Sequence, residues 1–314
     1  MKSYGVPYKG SKDKIAERIL SLFPSKKNFY DLFGGGGAMT CCAIAKGKFS
    51  KCHYNEFNPV VVKCFEMAMN GGFEGESRWT SHDEFYAQKD SDPYVACCFS
   101  FGNDFKSYAY GVEVAPYKKA LHYATLFGDF SLIEKFYPDS NFDAVKGIKD
   151  PVERLMWLKR HAARVYEAKG GLLSAEDFKS YNNLQSFLRL ENLKRMGDIK
   201  LMNPEGLKNL SVTCGSYENV DIEENSVIYC DIPYKGTNDY SVGFDYDKFY
   251  DWCGRQTEPL FISEYWMPED RFDCVLEIEH RSLICATENQ SVIERVFVPK
   301  GQKADFGRLS GALF

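Results

Sequence analysis

The chain has 314 residues, with 39 Lys and Arg against 44 Asp and Glu for a net charge of −5. That balance excludes a histone-like or polybasic protein, and 44% hydrophobic content is ordinary for a soluble chain of about two domain lengths. No stretch approaches the roughly 18–20 apolar residues of a membrane span, and the polar start from Met1 to Lys14 has no signal-peptide core. The cysteines, eleven in all, include no C-x-x-C pair, and several sit in apolar runs (Cys41, Cys42, Cys97, Cys98, Cys230), so they read as reduced, buried thiols.

Taken in chain order, the first elements read as α/β. Ile15, Ile19, Leu20 and Leu22 have helical spacing. Phe29 to Phe33 is a strand-like run that ends in Gly34-Gly35-Gly36-Gly37. Ala38 to Ala45 resumes as a helix, and Lys51 to Asn55 reads as a second strand. Strand, glycine turn, helix, strand is the order that builds a parallel sheet. From about 73 to 205 the texture turns helical, with Asp150-Pro151 opening one such stretch. Residues 144–200 hold 12 Lys and Arg against 7 Asp and Glu, a local excess of positive charge in an acidic chain. Such a stretch is either a solvated helix face or a nucleic-acid contact. From about 206 the α/β pattern returns, with strands expected over Leu210–Cys214, Ser226–Cys230 and Leu260–Ser263. Cys274–Ile278 and Val292–Val298 read as a closing antiparallel pair. Val227 to Cys230 is apolar on both faces, as a central strand covered on two sides requires.

The glycines after the first strand would let a ligand approach the backbone closely. A dinucleotide fingerprint fails, because Met39 and Thr40 stand where its third glycine belongs. Gly5 and Gly10 imitate a phosphate-binding loop, but Ser11 replaces its lysine and no strand precedes it. Asn55-Glu56-Phe57-Asn58 puts an acid at the end of the second strand, where it can accept both hydroxyls of a ribose. Asp231-Ile232-Pro233-Tyr234 then follows the interior strand. A carboxylate and a backbone carbonyl of that turn could each accept one N–H of a planar exocyclic amine and free its lone pair, while Tyr234 offers a stacking face.

These motifs resemble those of the Dam-type (D12 class, α-group) N6-adenine DNA methyltransferases, especially phage-encoded ones. The family's cofactor loop of acid-x-Phe-x-Gly-x-Gly is matched by Asp31, Phe33, Gly35 and Gly37, and its N-terminal motif by Tyr8-Lys9-Gly10-Ser11-Lys12. Its acidic segment after the second strand corresponds to Asn55-Glu56-Phe57-Asn58, and its catalytic Asp-Pro-Pro-Tyr to Asp231-Ile232-Pro233-Tyr234. The resemblance implies an α/β fold: a Rossmann-like S-adenosylmethionine-dependent methyltransferase sheet over 1–72 and 206–314, with an inserted, mostly helical target-recognition domain over 73–205. It implies Asp231, Pro233 and Tyr234 as catalytic residues. The implied cofactor-binding residues are Tyr8, Lys9, Gly10, Lys12, Asp31, Phe33, Gly35, Gly37, Glu56, Ser216 and Tyr217. The implied partner is double-stranded DNA, met by Asn103, Lys106, Tyr108 and Lys235, with Ser100 to Gly111 in place of the family's DNA-reading hairpin. GATC is the target it suggests, and the bacterial or phage-infected cytoplasm the expected location. No metal is expected. Ile232 departs from the family's first proline, and Ser216 from the acid that usually precedes Tyr217.

Other chemistries fit less well. C5-cytosine methylation wants a cysteine after proline, and no Pro-Cys occurs. Zinc deamination wants paired cysteines and a histidine, but the five histidines are scattered singly. For a nuclease, Asp221, Glu223 and Glu224 form a carboxylate cluster, but it reads as a solvated turn. N4-cytosine methylation uses the same amine logic, although a serine commonly opens its motif. A DNA-binding protein on a degenerate methyltransferase scaffold is the alternative from another class.

Overall fold

The computed structural model describes residues 4–73, 76–158, 160, 204–236, 243–281 and 291–302. The chain forms two compact units, one of Met1–Val6, Gly10–Asn70 and Leu193–Phe314, the other of Pro7–Lys9 and Gly71–Asn192.

The first unit is mixed α/β around a seven-stranded sheet, the arrangement a methyltransferase fold calls for. Its strands are β1 (Asn28–Asp31), β2 (Lys51–Glu56), β3 (Leu210–Cys214), β4 (Ser226–Asp231), β5 (Leu260–Glu264), β6 (Phe272–Arg281) and β7 (Ser291–Pro299). Their order is β3-β2-β1-β4-β5-β7-β6. The first five run parallel, and β7 lies antiparallel between β5 and β6. The strand order reverses between β1 and β4. At such a switch point the connections leave in opposite directions and open a crevice at the carboxyl ends of the strands.

Burial explains why the interior strands lack alternation. Val227, Ile228, Tyr229 and Cys230 are all fully buried. On one face the rings of Phe23, Phe29, Phe49, Tyr229 and Phe261 pack in a chain. On the other, Ile228, Cys230, Leu260 and Ile262 meet Phe249, Tyr250 and Trp252 of the helix Tyr246–Cys253. Each fully buried large side chain contributes roughly 1.5–3 kcal/mol. β4 is therefore held firmly up to its last residue, Asp231.

Three helices in the first part of this unit are α1 (Ala16–Leu22), α2 (Ala38–Lys46) and α3 (Pro59–Met69). α3 starts conventionally: the Asn58 side chain accepts the Val60 N–H, and Pro59 takes the first helical position. The N-cap of α2 is Gly37, in the left-handed region at φ 74°, and has no side chain to offer. Asp31, at the end of β1, takes over the duty. Its Oδ2 accepts the Thr40 N–H at 3.2 Å and the Thr40 hydroxyl at 2.7 Å.

The second unit is helical where it is described. It includes His82–Gln88, Pro93–Cys98, Ala115–His122 and a helix over 151–158. Ser81 and Glu84 form a reciprocal capping box at the first of these. Its core gathers Leu121, Phe130, Ile133, Phe142, Leu155 and Leu158. Most of the basic stretch over 144–200 lies outside the described residues. Within the described part, Lys146 pairs with Glu134 at 2.8 Å and Arg154 donates to the Lys149 carbonyl at 3.0 Å. Ten cysteines are described, eight of them buried. Among the described residues no helix is long and apolar enough to cross a membrane.

Candidate active site

The site is built from the tips of neighbouring strands. Along the order β3-β2-β1-β4 these tips present Ser216 beyond β3, Glu56 on β2, the glycine turn after β1, and Asp231 on β4. The sequence separates them by up to 200 residues; the parallel register sets them in one row.

The glycine turn is a crowded crossing. A Cβ on Gly34 would lie 2.2 Å from the Tyr54 ring, and one on Gly37 would lie 2.2 Å from Phe65. Gly5 is part of the same crossing: a Cβ there would fall 2.2 Å from the Gly36 carbonyl, and the adjacent Val6 N–H donates to that oxygen at 2.7 Å. The glycine that imitates a phosphate loop in the sequence is thus required by a close backbone approach. Glu56 locks the turn from β2. Its Oε2 accepts the Gly35 N–H and its Oε1 the Asn58 N–H, both at 2.9 Å. Asn55 ties three strand ends together, donating to the carbonyls of Leu32 and Gly215 at 3.0 Å each and accepting from Thr213 Oγ1 at 2.9 Å.

Asp231 sits in a cluster that the motif alone does not reveal. Lys12 Nζ lies 2.8 Å from Asp231 Oδ1 and 3.8 Å from Glu294 Oε1. The Tyr234 hydroxyl donates to Asp231 Oδ1 at 3.2 Å and also bonds Glu294. Lys12 Nζ stands 4.8 Å from the centre of the Tyr234 ring, and Tyr265 meets that ring edge-on at 4.5 Å. Burial, with the charge of Glu294 beside it, pushes Asp231 up to about 6 against the opposing pull of Lys12. Burial alone would lower the Lys12 ammonium, but Asp231 and Glu294 outweigh it and hold the ammonium above its ordinary value. Glu264, at the end of β5, accepts the Lys235 N–H at 2.6 Å and the Trp266 N–H at 3.1 Å, which shapes the turns on either side. The carbonyl of Pro233 accepts the Tyr246 hydroxyl at 2.8 Å.

Several expected residues stand elsewhere than the motif implies. Lys12, expected at the cofactor, is bound to Asp231. Asp31, expected beside it, is 1% exposed and turned onto Thr40, because a buried helix start without a capping side chain needs an acceptor. Phe33 and Tyr217 stack on each other at 5.2 Å and join the apolar core behind the strand tips. Ser216 accepts the Glu218 N–H at 3.5 Å and caps the turn Tyr217–Asn219. Gly10 is open, with its carbonyl accepting Lys12 Nζ at 3.1 Å. Lys235 is exposed, its ammonium 5.5 Å from the centre of the Tyr246 ring.

Tyr8 and Lys9 belong to the second unit. There the Lys9 N–H donates to the Asn103 carbonyl at 3.1 Å, and Tyr8 meets Phe105 at 5.7 Å. Ser100 to Gly111 is a loop closed by an antiparallel bridge between Ser100 and Tyr108. Lys106 is exposed on it. Asn103 donates to the Cys97 carbonyl at 2.8 Å, and Tyr108 is buried with its hydroxyl on the Thr80 carbonyl at 2.8 Å. Tyr108 therefore packs the loop from within.

A cavity of about 410 Å³ lies beside β2 and β3, lined in part by Tyr30, His53, Asn55, Thr213 and Ser216. Of the expected cofactor residues it includes Ser216 alone, so the row of strand tips defines the site better than this cavity does.

Glu294, Glu264 and Tyr265 went unseen in the sequence. Glu294 carried a legible signal: it shares its strand face with Val296 and Val298, both buried, and a carboxylate at an inward position is rare without a function or a partner.

Asp31 makes a testable claim about stability. Burial, the largest cause, and the charges of Asp231 and Glu56 raise it from 3.8 to about 7, against the Thr40 hydrogen bonds. Folded Asp31 keeps its proton to higher pH than unfolded Asp31, so its contribution is present at low pH and declines as pH rises from about 4 to about 7. The stability of Asp31→Asn relative to wild type, from urea unfolding, is expected to improve from pH 4.5 to 7.5. A constant difference would contradict this account.

No curated protein matches the chain. The family of D12 class N6 adenine-specific DNA methyltransferases matches it over residues 8–255, which takes in the glycine turn, Glu56, Asp231 and Tyr234. The chain belongs to that family and is an adenine-specific DNA methyltransferase.

Proposed function

We propose that this enzyme transfers the methyl group of S-adenosylmethionine to N6 of an adenine turned out of duplex DNA. The observation that carries the reading is the row of strand tips, in which a cradle suited to a nucleoside adjoins a partly exposed carboxylate suited to an amine. Bound S-adenosylmethionine supplies an electrophilic methyl group on a positively charged sulfur. The donor set fits it: Glu56 for the ribose hydroxyls, the amides and carbonyls of the glycine turn for its polar groups, and Ser216 for the base. Asp31 contributes by holding the turn.

Asp231 accepts one N–H of the target amine. The second acceptor is a backbone carbonyl of the Ile232-Pro233 turn, assigned to Ile232 because the Pro233 carbonyl already accepts the Tyr246 hydroxyl and has one lone pair left. This role needs a carbonyl and not a proline ring, so the family's first proline is dispensable here. Two acceptors out of the base plane favour a pyramidal nitrogen, whose lone pair is then free to attack. The Asp231 carboxylate takes the proton that N6 gives up. Tyr234, its single hydroxyl proton shared between Asp231 and Glu294, presents its ring to the base. Lys235, Lys106 and the Ser100 to Gly111 loop supply backbone and base contacts with DNA, and residues 73–205 serve as the target-recognition segment. GATC is the target that the resemblance to Dam-type enzymes suggests, and sequencing of methylated DNA identifies the target directly.

Methyl-labelled S-adenosylmethionine incubated with duplex DNA, followed by digestion to nucleosides, tests this reading. Label is expected in N6-methyldeoxyadenosine. Label in N4-methyldeoxycytidine, or none while DNA is still bound, would overturn it.

A further inference from the structure

Building on the proposed function, we infer that Glu294 is a positioning residue of the methyl-transfer site: it takes over the Lys12 ammonium when the target amine occupies Asp231, and it tethers the stacking tyrosine. The ammonium now sits 2.8 Å from Asp231 Oδ1, on the carboxylate to which an adenine amine must donate. Both groups are donors, and Tyr234 already donates to the same oxygen. An amine donating to Oδ1 would be a third donor on that oxygen, so it settles there only as Lys12 moves off.

Lys12 is 6% exposed, so a displaced ammonium has no water to move into, and a buried charge without a partner is strongly unfavourable. Glu294 provides the second acceptor. Its Oε1 lies 3.8 Å from Lys12 Nζ, so a shift of about 1 Å gives a full hydrogen-bonded pair. Glu294 is itself 3% exposed, so an ammonium that moves onto it stays shielded from water. The exchange keeps one ammonium between two carboxylates at every stage, and the neutral amine enters without changing the buried charge. Throughout, the Glu294 bond to Tyr234 holds the ring that is to meet the base. Among the described residues, Tyr265 and Glu264 face the cluster from β5 and the turn after it, Tyr229 from β4 and Asp31 from the end of β1.

The experiment compares wild type, Glu294→Gln, Glu294→Asp, Lys12→Met and the Lys12→Met/Glu294→Gln double variant on duplex DNA carrying 2-aminopurine at the methylated position, and on the unmodified duplex. In Glu294→Gln the ammonium has no charged destination and stays on Asp231. A 10- to 100-fold loss of kcat/KM for DNA is expected, with weaker 2-aminopurine fluorescence and cofactor affinity within about threefold of wild type. Glu294→Asp keeps the charge and should recover part of the loss. The double variant, which lacks the competing ammonium, should be at least threefold more active than Glu294→Gln alone. Wild-type kcat/KM in Glu294→Gln, equal loss in Glu294→Asp and Glu294→Gln, or strictly additive losses in the double variant would each overturn the inference. Should Glu294→Gln not fold, Glu294→Asp decides: a raised KM for DNA at unchanged cofactor affinity supports it, and wild-type kinetics overturn it. Failure of the wild type to label adenine would instead sink the functional reading itself.

Discussion

Asp231→Ala is expected to lower methyl transfer by about 10³-fold or more, with cofactor affinity within about threefold of wild type. The carboxylate belongs to the substrate side of the site, at the last position of a strand buried on both faces. Its loss removes an acceptor that grows in value as charge develops on the amine. It also leaves Lys12 beside Glu294 alone, so the buried ammonium keeps a partner and the fold survives. Single-turnover transfer measured beside calorimetric cofactor binding checks the claim. Equal losses in both would mean that Asp231 serves the cofactor. In the wild type the rate should also fall as pH drops through about 6, because protonated Asp231 no longer accepts the amine.

Glu56→Ala is expected to act on the other substrate, raising the cofactor dissociation constant by about 10- to 100-fold while the rate at saturating cofactor changes little. Each hydrogen bond to a charged group is worth roughly 1.5–3 kcal/mol, and 1.4 kcal/mol is a factor of ten. Both carboxylate oxygens already accept backbone N–H groups, from Gly35 and Asn58. The substitution therefore loosens the glycine turn and removes the expected ribose acceptor at once. Glu56→Gln should resemble it, since an amide has one acceptor where two are needed. Titration calorimetry with S-adenosylmethionine distinguishes the cases; unchanged affinity would remove Glu56 from the cofactor site.

What could be read from the sequence follows the range of the forces involved. Val227 to Cys230 announces an interior strand because burial on both faces leaves no polar position, and the glycines announce a close approach because no other residue allows it. The closing pair at Cys274–Ile278 and Val292–Val298 is visible in its alternation, although the observed strands are longer, Phe272–Arg281 and Ser291–Pro299. The contacts of Lys12 were hidden because its partners lie 219 and 282 positions away and meet only through strand order. Asp31 reads equally well as a ligand contact or as a brace, and the missing cap on α2 is what makes it a brace. Tyr108 shows the same ambiguity in aromatics, since a ring that could stack on a base can as well pack its own loop. There the nearby Thr80 carbonyl, which satisfies its hydroxyl, draws it inward.

The most direct test of the central claim is a crystal structure of the enzyme with sinefungin and a duplex bearing its target adenine. The account predicts an extrahelical adenine whose N6 lies within about 3 Å of an Asp231 oxygen and of the Ile232 carbonyl, with the nucleoside of the analogue against Glu56. An adenine amine held by other residues, with Asp231 still paired to Lys12, would contradict it.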